Sequence, residues 1–164
     1  MVLLRDFTEN DVEKLVSILN NESVTRFLST KIPSPYTLQD AMWWVNEGSK
    51  GELIKAISYE DEMVGCIGVY HGEFEYQKSG EIGYWLAQEY WRKGITLAAI
   101  NQLVNYVFNN TGIIRLSAPV FSDNQPSMRL LLKAGFKEEA ILEKAIFKNG
   151  QYYNSHIFAK LRSF

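Results

Sequence analysis

The sequence predicts an α/β fold, and three observations predict it. Runs of β-type residues begin after Glu52, segments with helical apolar spacing flank them, and the second half alternates strand, helix and strand. About seven strands and about four helices result, antiparallel at first and then linked through helices. Val2 to Asp6 reads as a short strand. Thr8 to Asp11 supplies capping side chains for a helix that buries Val12, Leu15, Val16 and Leu19, ended by Asn20 and Asn21. A second short helix is expected around Val24 to Leu28, and Pro33 and Pro35 then force an extended loop. Thr37 to Val45 reads as helical, with Leu38, Met42 and Val45 on one face.

Two β-runs, Glu52 to Tyr59 and Met63 to Gly72, are separated by an acidic turn and suggest a hairpin. Gly80 to Leu86 is a third strand of this region. Between Gly94 and Asn110 the residues Ile100, Leu103, Val104, Val107 and Phe108 repeat with helical period, and Gly112 marks the end. Ile113 to Phe121 reads as a strand and Asn124 to Ala134 as a helix closed by Gly135. Two final strands flank Asn149-Gly150, the strongest hairpin signal in the chain.

With 164 residues and no composition break, repeat or low-complexity tract, one domain spanning 1–164 is expected. An apolar content of 46% with 22% charged residues excludes a disordered chain. The formal net charge of −2 argues against broad electrostatic capture of nucleic acid. Cys66 is the only cysteine, so neither an internal disulfide nor a Cys-rich metal site is expected. His71 and His156 stand isolated and make no metal site. The opening residues turn acidic at once, unlike a signal peptide. No apolar run reaches the ~18–20 residues of a membrane helix. A cytoplasmic protein without membrane or direct nucleic-acid partners is the expectation.

The most informative stretch runs from Gly83 to Ala99, where a strand ends, a turn passes through Arg92, Lys93 and Gly94, and a long helix begins. Exposed N–H groups at a helix start carry partial positive charge and bind phosphate oxygens. On the local pattern, the turn is either a phosphate cradle or a basic strand-to-helix connection that touches nothing. The dinucleotide pattern GxGxxG and the Walker, HExxH and GxSxG motifs are all absent. Further on, Asn124 and Ser127 stand three apart at the first turn of a helix, with Pro126 between them. They serve either as caps or as the polar rim of a ligand crevice.

Gly80-Glu-Ile-Gly-Tyr-Trp-Leu86, Tyr90-Trp-Arg-Lys-Gly94, and Asn124-Gln-Pro-Ser127 followed by Ala134-Gly-Phe136 occur in this order. Together with Leu4-Arg5 and Thr8 to Asp11, they make the sequence resemble the GNAT acetyltransferase superfamily over nearly its whole length. The resemblance is strongest to the RimJ/RimL-like branch, which acetylates ribosomal-protein N-termini. It implies a single-domain fold with a central, splayed mixed sheet, and acetyl-CoA as donor, with no metal. The pyrophosphate would lie on backbone N–H groups along Arg92, Lys93, Gly94, Ile95, Thr96 and Leu97, next to Trp91. The pantetheine arm would pair with Tyr84, Trp85 and Leu86, and Asn124 and Ser127 would line its far end. The chain departs from the family pattern at Arg92, often glycine, at Thr96, usually a smaller residue, and at Ala98, often glutamate. It also has Leu131 where many members carry a tyrosine acid.

Acyl transfer to an amine needs a neutral nucleophile and a proton for the departing thiolate. An α-amine of pKa about 8 costs about 1.4 kcal/mol to deprotonate at pH 7, whereas lysine costs about 4.6 kcal/mol. A modest base working through water suffices for the first. Glu81 is the candidate base, with a plain surface glutamate as the alternative. Ser127 is the acid that the resemblance suggests, with helix capping as its alternative. Phe27, Tyr36 and Trp43, beside proline-bounded loops, are candidates for gripping the acceptor, although such aromatics also pack simply as core. The expected acceptor is a protein or peptide N-terminal α-amine, ribosomal or other. Small amines such as antibiotics, polyamines or amino acids are the alternative, and a non-catalytic acyl-CoA-binding module is a third reading. A monomer or homodimer fits equally.

Overall fold

The computed structural model of the chain describes residues 1–163. Seven strands form one mixed sheet: β1 (Val2–Arg5), β2 (Ile54–Tyr59), β3 (Glu62–His71), β4 (Ser79–Leu86), β5 (Arg115–Phe121), β6 (Lys137–Lys148) and β7 (Gln151–Leu161). Their order is β1-β2-β3-β4-β5-β7-β6. β1 with β2 and β2 with β3 are antiparallel, β4 with β5 is parallel, and β5-β7-β6 is antiparallel again. The α-helices are α1 (Val12–Leu19), α2 (Glu22–Thr25), α3 (Leu38–Trp43), α4 (Ile95–Asn110) and α5 (Gln125–Lys133). Five are described where about four were expected, and the short helix expected around Val24 to Leu28 is present from Glu22 to Thr25. Among the described residues no helix is long and apolar enough to cross a membrane.

Two compact units can be told apart. The first comprises Met1–Gly68 and Tyr84–Leu103. Its core gathers Phe7, Leu15, Ile18, Leu19, Val45, Ala56, Met63 and Cys66, with Trp44, Trp85 and Tyr90 packed against them. Burial pushes the Cys66 thiol up to about 12, so it is an inert core residue. The entry to α1 is locked electrostatically. Arg5 donates from Nη1 and Nη2 to the two oxygens of Asp11 at 2.8 and 2.9 Å, and the Thr8 N–H donates to the same carboxylate at 2.9 Å. Burial pushes the Asp11 carboxyl up, but these hydrogen bonds and the Arg5 charge outweigh it and leave the carboxyl below its ordinary value.

A carboxyl whose folded pKa is depressed contributes stability above its unfolded pKa and loses it as pH falls through the folded one. Asp11→Asn should therefore cost about 2 kcal/mol near neutral pH, in the range of a hydrogen bond to a charged group. The gap between variant and wild type should close as pH falls below about 4. Thermal melts from pH 7 down to pH 3 test this, and a gap independent of pH would contradict it.

α3 departs from the expected packing. Thr37 and Asp40 cap it reciprocally, the Thr37 N–H donating to Asp40 Oδ2 at 2.9 Å and the Asp40 N–H to Thr37 Oγ1 at 3.1 Å. Within the helix only Ala41 is buried. Leu38, Met42 and Trp43 are all at least half exposed. The face carrying Leu38 and Met42 exists as the spacing predicts, but only Val45, one turn on, reaches the core. A π-helical turn over Trp44–Gly48 follows.

The second unit comprises Val69–Gly83 and the residues from Val104 onward. Gly80 brings β4 close to its neighbours, since a Cβ there would stand 2.6 Å from Val69 and 3.3 Å from Leu116. α5 is sharply bounded. Asn124 caps its start, and Gly135 at φ 89° ends it with Phe136 N–H bonded to the Leu131 carbonyl and Gly135 N–H to that of Leu132, both at 3.0 Å. Phe136, just past this closure, is buried, as are Leu131 and Met128. β6 and β7 form the expected hairpin through Asn149 and Gly150, at φ 51° and 77°. β6 is exposed along most of its length and bulged. Leu142 pairs with Ser155 and Ile146 with Tyr153, so three residues face Asn154 alone. In that bulge Lys144 takes φ 53°, its N–H held by Asn154 Oδ1 at 3.0 Å.

Candidate active site

The connection from β4 to α4 lies in the first unit and is more constrained than its sequence suggests. Trp91 donates from Nε1 to the Leu86 carbonyl at 2.8 Å, and the Ala87 N–H bonds to the Val64 carbonyl at 2.8 Å. The loop thus folds back on the strand it leaves, bringing together Leu86 and Trp91. Leu86 itself is buried, whereas Tyr84 and Trp85 are half-buried. Gly65 of β3 fits against this end of β4, where a Cβ would lie 2.4 Å from the Trp85 carbonyl. Lys93 leans over the Tyr90 ring, its Nζ 5.4 Å from the centroid.

Arg92 and Gly94 both take the left-handed conformation, at φ 62° and 76°. Glycine adopts it freely, but for arginine it costs roughly 1–2 kcal/mol. Arg92 therefore occupies a backbone site that favours glycine. The first helical bond of α4 runs from the Ala98 N–H to the Gly94 carbonyl at 3.1 Å. The N–H groups of Ile95, Thr96 and Leu97 consequently lie outside the helical ladder, at the positive end of a 16-residue helix. Nothing lies within 4 Å of a Cβ built at Gly94, so the backbone there is open to close approach. With Arg92 and Lys93 exposed beside it, this loop has the donor set for an anionic phosphate.

The other candidates lie in the second unit. Glu81 is exposed on β4 and pairs in parallel with Ser117 of β5, where the ladder from Ser79↔Arg115 ends. Gly80 and Ile82 are buried while Glu81 and Gly83 are exposed, as strand alternation requires. Asn124 acts as the cap that was one of its two readings. Its Oδ1 accepts from the Ser127 N–H at 3.4 Å. Ser127 is half-buried, and Leu131 is fully buried and offers no proton.

The aromatics expected at the acceptor do not share one environment. Phe27 is half-buried beneath the Arg26 guanidinium, 4.7 Å from the ring centroid. Trp43 is 57% exposed. Tyr36 is instead part of the core. Asn20 clamps its backbone, accepting from the Tyr36 N–H at 2.9 Å and donating to its carbonyl at 2.8 Å. Burial, with Asp40 and Cys66 nearby, pushes the Tyr36 phenol up to about 12. His156 is not isolated as expected, for its Nδ1 meets Glu138 Oε1 at 2.5 Å. Sequence reasoning missed Gly65; the Trp44 indole packs against the core of the first unit, and its buried Nε1 has no hydrogen-bond partner. A glycine inside an apolar strand was the one available signal for Gly65.

This mixed sheet, with a long helix opening on unengaged N–H groups after β4, is the architecture of an acetyl-CoA-dependent N-acetyltransferase. Residues 1–137 match the family described as the acetyltransferase (GNAT) domain. The chain belongs to the GNAT acetyltransferase family. It is 30% identical over 165 residues to the N-acetyltransferase YoaA of Bacillus subtilis (strain 168), covering 96% of this chain and 92% of that protein. The ribosomal-protein-serine acetyltransferase of Escherichia coli (strain K12) is 30% identical over 102 residues, 62% of this chain and 56% of its own length. Among solved structures, the microcin C7 self-immunity acetyltransferase MccE, in complex with acetyl-CoA and AMP, superposes with a TM-score of 0.82. Its identity is 25%, over 98% of this chain and 92% of that one.

Proposed function

We propose that this N-acetyltransferase acts on the N-terminal α-amine of a protein or peptide, the chain working as one catalytic domain. The observation that carries this reading is Glu81, a single exposed carboxylate on β4. One carboxylate acting through water is a modest base. It matches the about 1.4 kcal/mol needed to deprotonate an α-amine at neutral pH far better than the about 4.6 kcal/mol of a lysine. Similarity to the ribosomal-protein-serine acetyltransferase points the same way.

Acetyl-CoA, when bound, supplies the thioester carbonyl that the amine nitrogen attacks. The N–H groups from Arg92 to Leu97 hold its pyrophosphate, with Arg92 and Lys93 adding charge and Trp91 fixing the loop. Tyr84, Trp85 and Leu86 present β4 backbone to the pantetheine arm, and Asn124 lines its far end. Glu81 takes the amine proton through a water molecule. The hydroxyl of Ser127 donates to the sulfur as the carbon–sulfur bond breaks. Phe27 and Trp43 offer aromatic surface to the acceptor, whereas Tyr36 belongs to the core.

A small-amine acceptor is the second reading, favoured by the likeness to MccE over nearly the whole chain. A thiol-release assay with Ser- and Ala-starting peptides, spermidine and an aminoglycoside separates the two. Turnover on the peptides is expected. Turnover confined to the small amines would reject the α-amine reading and keep the enzyme.

A further inference from the structure

A groove of about 460 Å³ opens in the first unit between the start of α1 and the outer face of α3. Its apolar lining is Val12, Leu38, Met42 and Val45, and among the described residues that line it the only charges are the carboxylates of Glu9 and Glu13. α3 is built the wrong way round for a helix that serves only its own core. It buries Ala41 and leaves Leu38 54%, Met42 50% and Trp43 57% exposed. Large apolar side chains gathered on one face and edged by charge mark a surface that is covered by something else. Leu38 and Met42 stand four residues apart, the spacing at which a helix presents a continuous ridge. Glu9 and Glu13 likewise stand four apart and are exposed, whereas the neighbouring Lys14 is drawn away to Glu62 at 2.7 Å.

We propose that this groove docks a basic amphipathic segment of the protein whose N-terminus is acetylated. Apolar side chains of the segment pack on Leu38 and Met42, and its lysines or arginines meet Glu9 and Glu13. The charge of the lining selects the occupant. An acidic segment meets two carboxylates and no base, and a purely apolar one leaves both carboxylates beside its surface. The inference rests on the α-amine reading for its biological sense, but the groove's preference can be measured without it.

The probes are two synthetic amphipathic helices, both with leucines along one face, one with lysines and one with glutamates on the other. Binding to the full chain is followed by fluorescence anisotropy. The lysine probe should bind and the glutamate probe should not, with an affinity that falls as salt rises. Met42→Asp should weaken the lysine probe by more than about tenfold, as expected for a central apolar contact. The double variant Glu9→Lys with Glu13→Lys should weaken it by roughly tenfold and make the glutamate probe the better ligand. That reversal of preference keeps the test decisive, because a misfolded variant loses both probes instead of exchanging them. Equal binding of both probes to the wild type would overturn the proposal. So would an unchanged preference in the double variant. So would sedimentation showing that Met42→Asp abolishes self-association while neither probe binds, which assigns the groove to a second copy. Acetylation of a short Ser-starting peptide should be unaltered by these substitutions. If no form acetylates that peptide, the α-amine reading fails while the probe result stands by itself.

Discussion

Glu81→Gln should slow acetyl transfer by about 10²–10⁴-fold, the range for losing a positioned general base. Acetyl-CoA affinity should stay within about twofold, because the substitution keeps the side chain's shape and leaves the phosphate-binding loop intact. Glu81 suits this test because it is exposed on β4 between the buried Gly80 and Ile82. The glutamine keeps both neighbours in place and removes only the basic oxygen, so folding is spared. The measurement is a pair, kcat from thiol release and Kd from calorimetry. A fall in kcat with constant Kd identifies the base. Unchanged turnover would assign Glu81 to the surface and require the proton to leave by another route.

Gly94→Val should weaken acetyl-CoA binding by roughly 10–100-fold, equivalent to about 1.4–2.8 kcal/mol. Gly94 sits at φ 76° with nothing within 4 Å of its missing Cβ. Valine thus meets no collision in the protein, and its penalty is conformational. A β-branched residue resists the left-handed region, so the turn relaxes and the N–H groups of Ile95 to Leu97 swing away from a common focus. Folding stability should fall as well, by about 1–2 kcal/mol, the cost of a side chain in that region. Arg92→Gly is the informative contrast. Relieving φ 62° should raise stability by about 1 kcal/mol, while loss of the guanidinium should weaken binding severalfold. A loss of stability with acetyl-CoA affinity unchanged in Gly94→Val would place the glycine's role in folding alone.

Much of the fold is legible because local chemistry dictates it. Asn149-Gly150 specifies its own turn, and Asn124 with Gly135 brackets α5 through hydrogen bonds made within a few residues. Alternation along β4 places Glu81 outward without any knowledge of the rest of the chain. Legibility ends where a residue's fate is set at a distance. Tyr36 has the look of a binding aromatic, but a side chain 16 residues earlier holds its backbone in the core. Leu38 and Met42 show a helical face, and periodicity says that a face exists but not which way it turns. Arg92 is hidden for the opposite reason. An arginine by its type gives no sign of positive φ, and the resemblance to a pattern with glycine there was the one hint.

The three-residue bulge in β6 bears on a matter apart from catalysis, the company the chain keeps at high concentration. β6 closes one edge of the sheet, and it exposes Ile141, Leu142 and Phe147. A straight edge strand of that composition is a template on which further strands can add without limit. Lys144 sits at the middle of the interruption, held at φ 53° by Asn154, so no neighbour finds an unbroken row of donors and acceptors. The hairpin can therefore be long and apolar without seeding fibres, and the safeguard lies in one irregular turn of backbone and the side-chain amide that fastens it.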